Sequence, residues 1–403
     1  MFSTENIDFY SLIFIILCSV FIFLVIKRSK KLQFRNLILI GFVLRIFLMF
    51  ADYYQWFPIP NSGTDSEMFH NIALQNQISS VQRFWTNYTY FLTFLYNITD
   101  SSRLIAQYIN VLFGLGVLIF VQLSLSQLAI DKNTQKKAML IIVFLPNLII
   151  FSGILMREAW VEFFAAASLF YFVRWFKKSS AINILLSIIM LMSAVVMHIG
   201  TIGLIFGYII AFITYNPNKQ KVQLSWGNVI VVLVFIAGLS ILLVNYSDIF
   251  ISKLKRYDFD DPETLVRITN KSEGGGSDYL TWIKADNVTQ SLLLSPLKIF
   301  YFLFSPLPTE WRDITDIIGF FFDGAIYMWL FFSILFSKHL QGIKKTLKMY
   351  LMITILIVVF IYAYGTTNAG TAFRHRAKIM PLIILTYAVS SVNCNKKKEF
   401  KLV

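Results

Sequence analysis

Residues 9–26 read FYSLIFIILCSVFIFLVI, and residues 27–31 read KRSKK. An uncharged apolar run of this length matches a bilayer core about 30 Å thick. The basic cluster behind it belongs on the cytoplasmic side, because short cytoplasmic loops are enriched in Lys and Arg. The run has no basic segment before it and no small-residue cleavage site after it, so it reads as a retained span rather than a signal peptide. The same pattern recurs along the chain. Spans are expected at about 9–26, 37–54, 104–129, 138–155, 157–176, 181–197, 199–214, 228–245, 317–336, 349–364 and 378–392. Residues 181–214 form one long apolar stretch, read as two spans meeting at Met197-His198-Ile199-Gly200.

Composition agrees with this reading. The chain has 403 residues, of which 57% are hydrophobic and 14% charged, against about a quarter charged in a globular domain. The expected fold class is all-α, a polytopic integral membrane helical bundle of about eleven transmembrane helices in one domain spanning residues 1–403. The alternating ten-residue segments of a membrane β-barrel do not occur. Of the two cysteines, Cys18 lies in the first span and Cys394 in the basic tail, so no pairing and no zinc site is expected.

Lys136-Lys137, Lys177-Lys178, Lys219 with Lys221, Lys344-Lys345 and the tail lysines 396–398 all fall on the side of the first basic cluster if each span crosses once. That side is the cytoplasm of a cell (plasma) membrane, with the N-terminus outside and the C-terminus inside. Two long outer loops follow, at about 55–103 and 246–316. The lysine-rich loops act as orientation signals, so the net charge of +14 calls for no nucleic-acid partner. In the second loop, residues 292–307 are apolar but broken by Pro296, Lys298 and Pro306, and read as a surface or re-entrant segment.

Charge at a bilayer boundary is costly and marks candidate chemistry. Asp65 lies in Gly63-Thr64-Asp65-Ser66-Glu67, ahead of an amphipathic, interfacial helix that carries Met68, Phe69, Ile72, Ala73 and Leu74. Asp65 could serve as a helix cap or as a general base for an attacking hydroxyl. Glu67 and His70 join it as candidate catalytic residues. Arg374, His375, Arg376 and Lys378 form a basic run against the last span, suited to a phosphate. Arg157, Glu158, Asp52 and His198 sit at outer span ends as candidate cavity-lining residues, and Glu162 follows Glu158 at i+4.

Three stretches resemble a known family. Gly63-Thr64-Asp65-Ser66, with Phe69, followed by an interfacial helix is similar to the first loop of GT-C-fold glycosyltransferases. Phe151 to Glu158, reading FSGILMRE, resembles the outer edge of a middle span in bacterial members. Phe373 to Pro381, reading FRHRAKIMP, resembles the basic run before their last membrane segment. The resemblance implies an outer-face enzyme using a polyprenyl-phosphate-linked sugar, in cell-envelope polysaccharide or glycolipid assembly. The base, or a ligand to a divalent metal, would then be Asp65, and the lipid phosphate would meet Arg374 and Arg376. The acceptor would be a lipid-linked saccharide or a glycan. An extra span before the acidic loop, the missing C-terminal soluble domain and the longer basic run depart from that family and leave room for a resemblance to O-antigen-type polysaccharide polymerases, which share the setting, the lipid carrier and outer-face arginines, move a whole repeat unit and need no metal. A flippase or transporter of lipid-linked saccharides is the alternative from another class.

Overall fold

The computed structural model describes residues 4–78, 86–128, 130–245, 261, 263–271, 276–337 and 340–391. Cys394, the tail lysines and part of the glycine-rich stretch 273–276 lie outside these residues. Among the described residues the fold is helical, apart from a two-residue hairpin, β1 (Tyr215–Asn216) with β2 (Lys221–Val222). The helices run α1 (Thr4–Arg28), α2 (Arg35–Tyr53), α3 (Glu67–Ile78), α4 (Asn87–Thr99), α5 (Arg103–Gln127), α6 (Lys132–Phe144), α7 (Pro146–Gly153), α8 (Glu158–Lys177), α9 (Ala181–Met197), α10 (Ile202–Thr214) and α11 (Trp226–Asn245). They continue with α12 (Glu263–Asn270), α13 (Val288–Leu293), α14 (Ser295–Phe304), α15 (Ile314–Gly319), α16 (Ala325–Leu335), α17 (Gly342–Tyr364) and α18 (Ala369–Ser390).

By length and composition, five of these stretches can cross a membrane: α1, α2, α5, Ile314–Leu335 and α17. The pair α6 and α7 makes a sixth if counted as one broken span. The expected span at 138–155 is thus not one straight helix but two, bent by 47°. Pro146 explains the break. It carries no amide hydrogen and forces Leu145 before it into extended backbone. The apolar stretch 181–214 does divide at His198, which is extended between α9 and a short 3-10 turn, Ile199–Thr201.

The second correction concerns the last span, expected from 378. Helix α18 starts at Ala369, where the Asn368 side chain accepts hydrogen bonds from the Gly370 and Thr371 amides. The basic run thus lies within a helix, and residues 376–390 are all buried. This helix is the centre of the bundle, packed against α8, α16 and α17.

The first long loop folds into a helical pair, of which α4 was not anticipated. Phe69, Ala73 and Asn76 of α3 face α4, at the i, i+4, i+7 spacing of one helix face. In the second loop, α14 spans ten residues, or about 15 Å, too short to cross. It packs on α17.

Small residues allow the closest helix approaches. A methyl group added to Gly203 would lie 2.6 Å from the Val358 Cα, and one on Gly207 2.6 Å from the Thr354 Cα. This is the small-xxx-small device of packed membrane helices. Gly207→Ala should force α10 and α17 apart and lower stability by about 1–3 kcal/mol. Thermal unfolding in detergent measures this, with Gly227→Ala as control because nothing lies within 4 Å there. Equal melting of the two variants would contradict the close-approach account.

Candidate functional site

Asp65 sits in a π-type turn, Ser62–Ser66, which Asn61 opens with a positive φ of 67°. The turn feeds directly into α3 and leaves the Asp65 side chain 33% exposed. Its carboxylate pairs with the Arg374 guanidinium. Arg374 forks: Nη1 goes to Asp65, while Nη2 donates to Glu158 Oε1 at 3.2 Å. Glu158 opens α8 and is fully buried. A carboxylate at a helix N-terminus is favoured by the helix dipole, and here it also holds two cations. Lys378, one turn beyond Arg374 on the same helix face, approaches the same oxygen at 3.4 Å. Arg157, just before α8, lies in the fields of Glu158, Arg374 and Asp65.

The charges continue inward. Glu162 is one turn further along α8, and the charges of Glu158, Arg45 and Lys378 all act on it. Arg45 is fully buried midway along α2, where it donates to the Gly41 carbonyl at 2.9 Å. Room for it comes from Gly41 and Gly114, where a methyl group would stand 3.2 and 2.9 Å from its guanidinium nitrogens. Carboxylates and cations thus alternate from the Asp65 rim to Arg45.

Helical periodicity divides the basic run. Two residues rotate a side chain by roughly 200°, so Arg376 faces away from Arg374 and Lys378. Arg376 is fully buried, ion-paired to Asp323 at 2.5 Å and donating to the Phe302 carbonyl at 3.2 Å. Asn147 holds the other Asp323 oxygen at 2.8 Å. The expected cluster of four basic side chains on one phosphate does not form. His375 takes a third direction, 3.0 Å from the Thr366 hydroxyl, with its ring 4.8 Å from the His198 ring.

Glu67, His70 and Asp52 are also engaged elsewhere. Arg103 bridges Glu67 at 2.5 Å and Asp52 at 3.5 Å, and Gln107 donates to Asp52 at 2.5 Å. These contacts tie α3 to α2 and α5. His70 Nδ1 lies 2.7 Å from the Tyr96 hydroxyl of α4. Burial, then the Arg103 charge, pushes the His70 imidazole below its usual pKa, which favours the neutral ring at pH 7. The spatial group is therefore Asp65, Arg374, Glu158, Lys378 and Arg157, with Glu162 and Arg45 behind it. Among the described residues no three His, Cys, Asp or Glu side chains gather as metal donors. The Asp65 carboxylate, the partly exposed one of the group, is paired with Arg374.

Among the described residues, fold and site together define a helical protein with several helices long and apolar enough to cross a membrane and a buried ionic network that opens at one end. Comparison with protein-family models, curated proteins and solved structures finds no match for this chain.

The network ranks its members by burial. Glu158→Ala leaves Arg374 and Lys378 without their shared buried carboxylate, and should cost about 3–5 kcal/mol. Asp65→Asn alters a partly exposed, screened pair and should cost about 1 kcal/mol or less. Unfolding in detergent should reproduce that order. The reverse order would mean that Asp65, not Glu158, holds the network together.

Proposed function

We propose that this protein is a membrane glycosyltransferase that takes a sugar or oligosaccharide from a polyprenyl-(pyro)phosphate donor at the outer face, for cell-envelope polysaccharide or glycolipid assembly. The observation that carries the reading is the fork of Arg374 between a rim carboxylate and a buried one. Glu158 fixes one arm of the guanidinium. The other arm is paired with Asp65 near solvent and is open to exchange. A donor phosphate arriving at that arm displaces Asp65, because arginine binds phosphate oxygens with the same planar fork. The displaced carboxylate is then a free base beside the bound donor.

The acceptor hydroxyl attacks the anomeric carbon, Asp65 takes the hydroxyl proton, and the bond from that carbon to the phosphate oxygen breaks. The lipid phosphate leaves with the electron pair. Its charge is met by Arg374, with Lys378 and Arg157 adding positive field from behind. No step passes through a metal.

The reading carries the eleven-span topology with the N-terminus outside and the C-terminus in the cytoplasm. That topology puts residues 55–103, the start of α8 and the start of α18 on one face. The meeting of Asp65, Glu158 and Arg374 supports it. Single cysteines at Thr64 and Trp282, both exposed, should react with an impermeant maleimide on intact cells. Protection of either until the cells are opened would remove the shared outer face.

Two observations favour other readings. The site holds more cations than carboxylates, which favours transfer of a whole repeat unit by a polymerase. The inward line of charge to Arg45 favours a flippase or transporter, which needs charge along a path. Product formation in detergent, where no two sides exist, separates an enzyme from a flippase. On that assay Asp65→Asn should lower turnover by about 10²–10⁴-fold with folded protein intact. Arg374→Lys keeps charge but loses the fork, and should also impair turnover. Activity should survive a chelator. Full activity in both variants would reduce the network to a structural tie.

A further inference from the structure

A second polar space lies at the other side of the α18 N-terminus. It is a cavity of about 240 Å³, walled by α12, residues 278–284, α14 and Thr367. Its volume is below the roughly 300–1,000 Å³ of drug-sized ligand sites, and so suits a small unit. Lys298, Lys271 and Lys284 line it against one carboxylate, Asp278. Lys298 is 4% exposed. Its ammonium donates to the Thr269 carbonyl at 2.9 Å and lies 5.4 Å from the Tyr364 ring. Among the described residues no carboxylate is within ion-pair distance of it.

A buried ammonium without a counter-charge is costly. It has three donors, of which the Thr269 carbonyl takes one. Two buried hydroxyls of residues that line the cavity, Thr269 Oγ1 and Thr367 Oγ1, have no hydrogen-bond partner among the described residues. Unmet buried polar groups of both kinds at one cavity call for a ligand that carries an anion and hydroxyls together.

The cavity wall is tied to the start of α18. The Tyr279 amide donates to the Thr367 carbonyl at 2.8 Å, and the Ala369 amide to the Ser277 carbonyl at 2.9 Å. Arg374 lies about 8 Å along α18 from its first residue, Ala369, within reach of a short saccharide.

We propose that this cavity is a subsite for an acidic sugar unit, a saccharide bearing a carboxylate or phosphate. The ammonium of Lys298 holds the anionic group, and the threonine hydroxyls bond the ring hydroxyls. The subsite deepens the glycosyl-transfer reading and rests on it for its role.

The test is calorimetric titration of the purified full-length protein with three probes: a glucuronic-acid-containing disaccharide, its glucose counterpart and inorganic phosphate. The acidic disaccharide should bind, and the neutral one should bind about ten- to a hundred-fold more weakly, the worth of a charged hydrogen bond. Lys298→Met should weaken the acidic probe by a similar factor, and Thr367→Val by a smaller one, which decides the matter if the lysine variant does not fold. Burial brings the Lys298 ammonium down to about 8. The charged form is lost as pH rises through that value, so binding should fade above pH 8. Lys271, Lys284, Asp278, Tyr279 and Tyr364 are the other titratable groups nearby, and Lys298→Met should remove the part due to Lys298. Arg374→Lys should leave this binding unchanged while impairing turnover. Equal affinity for the neutral sugar, phosphate binding as tightly as the acidic disaccharide, or an unaffected Lys298→Met overturns the subsite. Loss of turnover in Arg374→Lys alongside an unaffected Lys298→Met overturns it alone. Acidic-sugar binding by a protein that shows no transfer overturns the transferase reading and leaves the subsite standing.

Discussion

A single carboxylate, Glu158, lies between two cations inside an apolar bundle, and much of the structure follows from the need to keep it there. Desolvating one charge costs several kcal/mol, and pairing recovers that only when the geometry is good. Glu158 meets the condition with Arg374 at 3.2 Å and Lys378 at 3.4 Å. Both cations come from one face of α18, so α8 and α18 are held in a fixed register. The second buried pair, Arg376 with Asp323, fixes the opposite face of α18 to the segment before α16. The central helix is thus clamped by charge from two sides within five residues.

The pair of α3 and α4 depends on the same matching of charges. Asp65 reaches Arg374 from the turn before α3, and Glu67 reaches Arg103 from its first turn. On its far side α3 is closed against α4 by Phe69 and Ala73 and by the contact of His70 with Tyr96. The hairpin is therefore positioned by two arginines at its root, and its apolar face completes the packing. The rim carboxylate is held by elements from three separate parts of the chain.

Much of this order was legible in the sequence. Apolar run length located α1, α2, α5 and α17, and the polar break at His198 separated α9 from α10. Asp65, Glu158, Arg374 and Lys378 were all singled out by charge next to apolar runs, and they meet. The role of each residue in the run 374–378 was not legible, because the stretch reads as a polar flank to a hydropathy average. Its helical period was the missing signal: positions 374 and 378 share a face, and 376 does not. Asn368 as a cap could have revealed the earlier start. Pro146 also announced a break inside 138–155 that apolar content alone concealed. Glu67 and His70 share a short helix with Asp65's turn, yet α3 points them toward Arg103 and α4. The partner of Arg376, Asp323, lies more than fifty positions earlier in the chain, and such pairings leave no local trace.

The burial of α18 has a consequence for how this chain can vary. Every side chain from Arg376 to Ser390 is enclosed, so any exchange there must conserve volume and polarity together. Helix α1 is its opposite. Ile16, Leu17, Val20 and Phe21 are between 54% and 67% exposed on its outward side, and those positions need only stay apolar. Sequence drift should therefore be fast on α1 and slow on α18. Relatives too distant to align over the whole length should be traceable by the register of α18 alone.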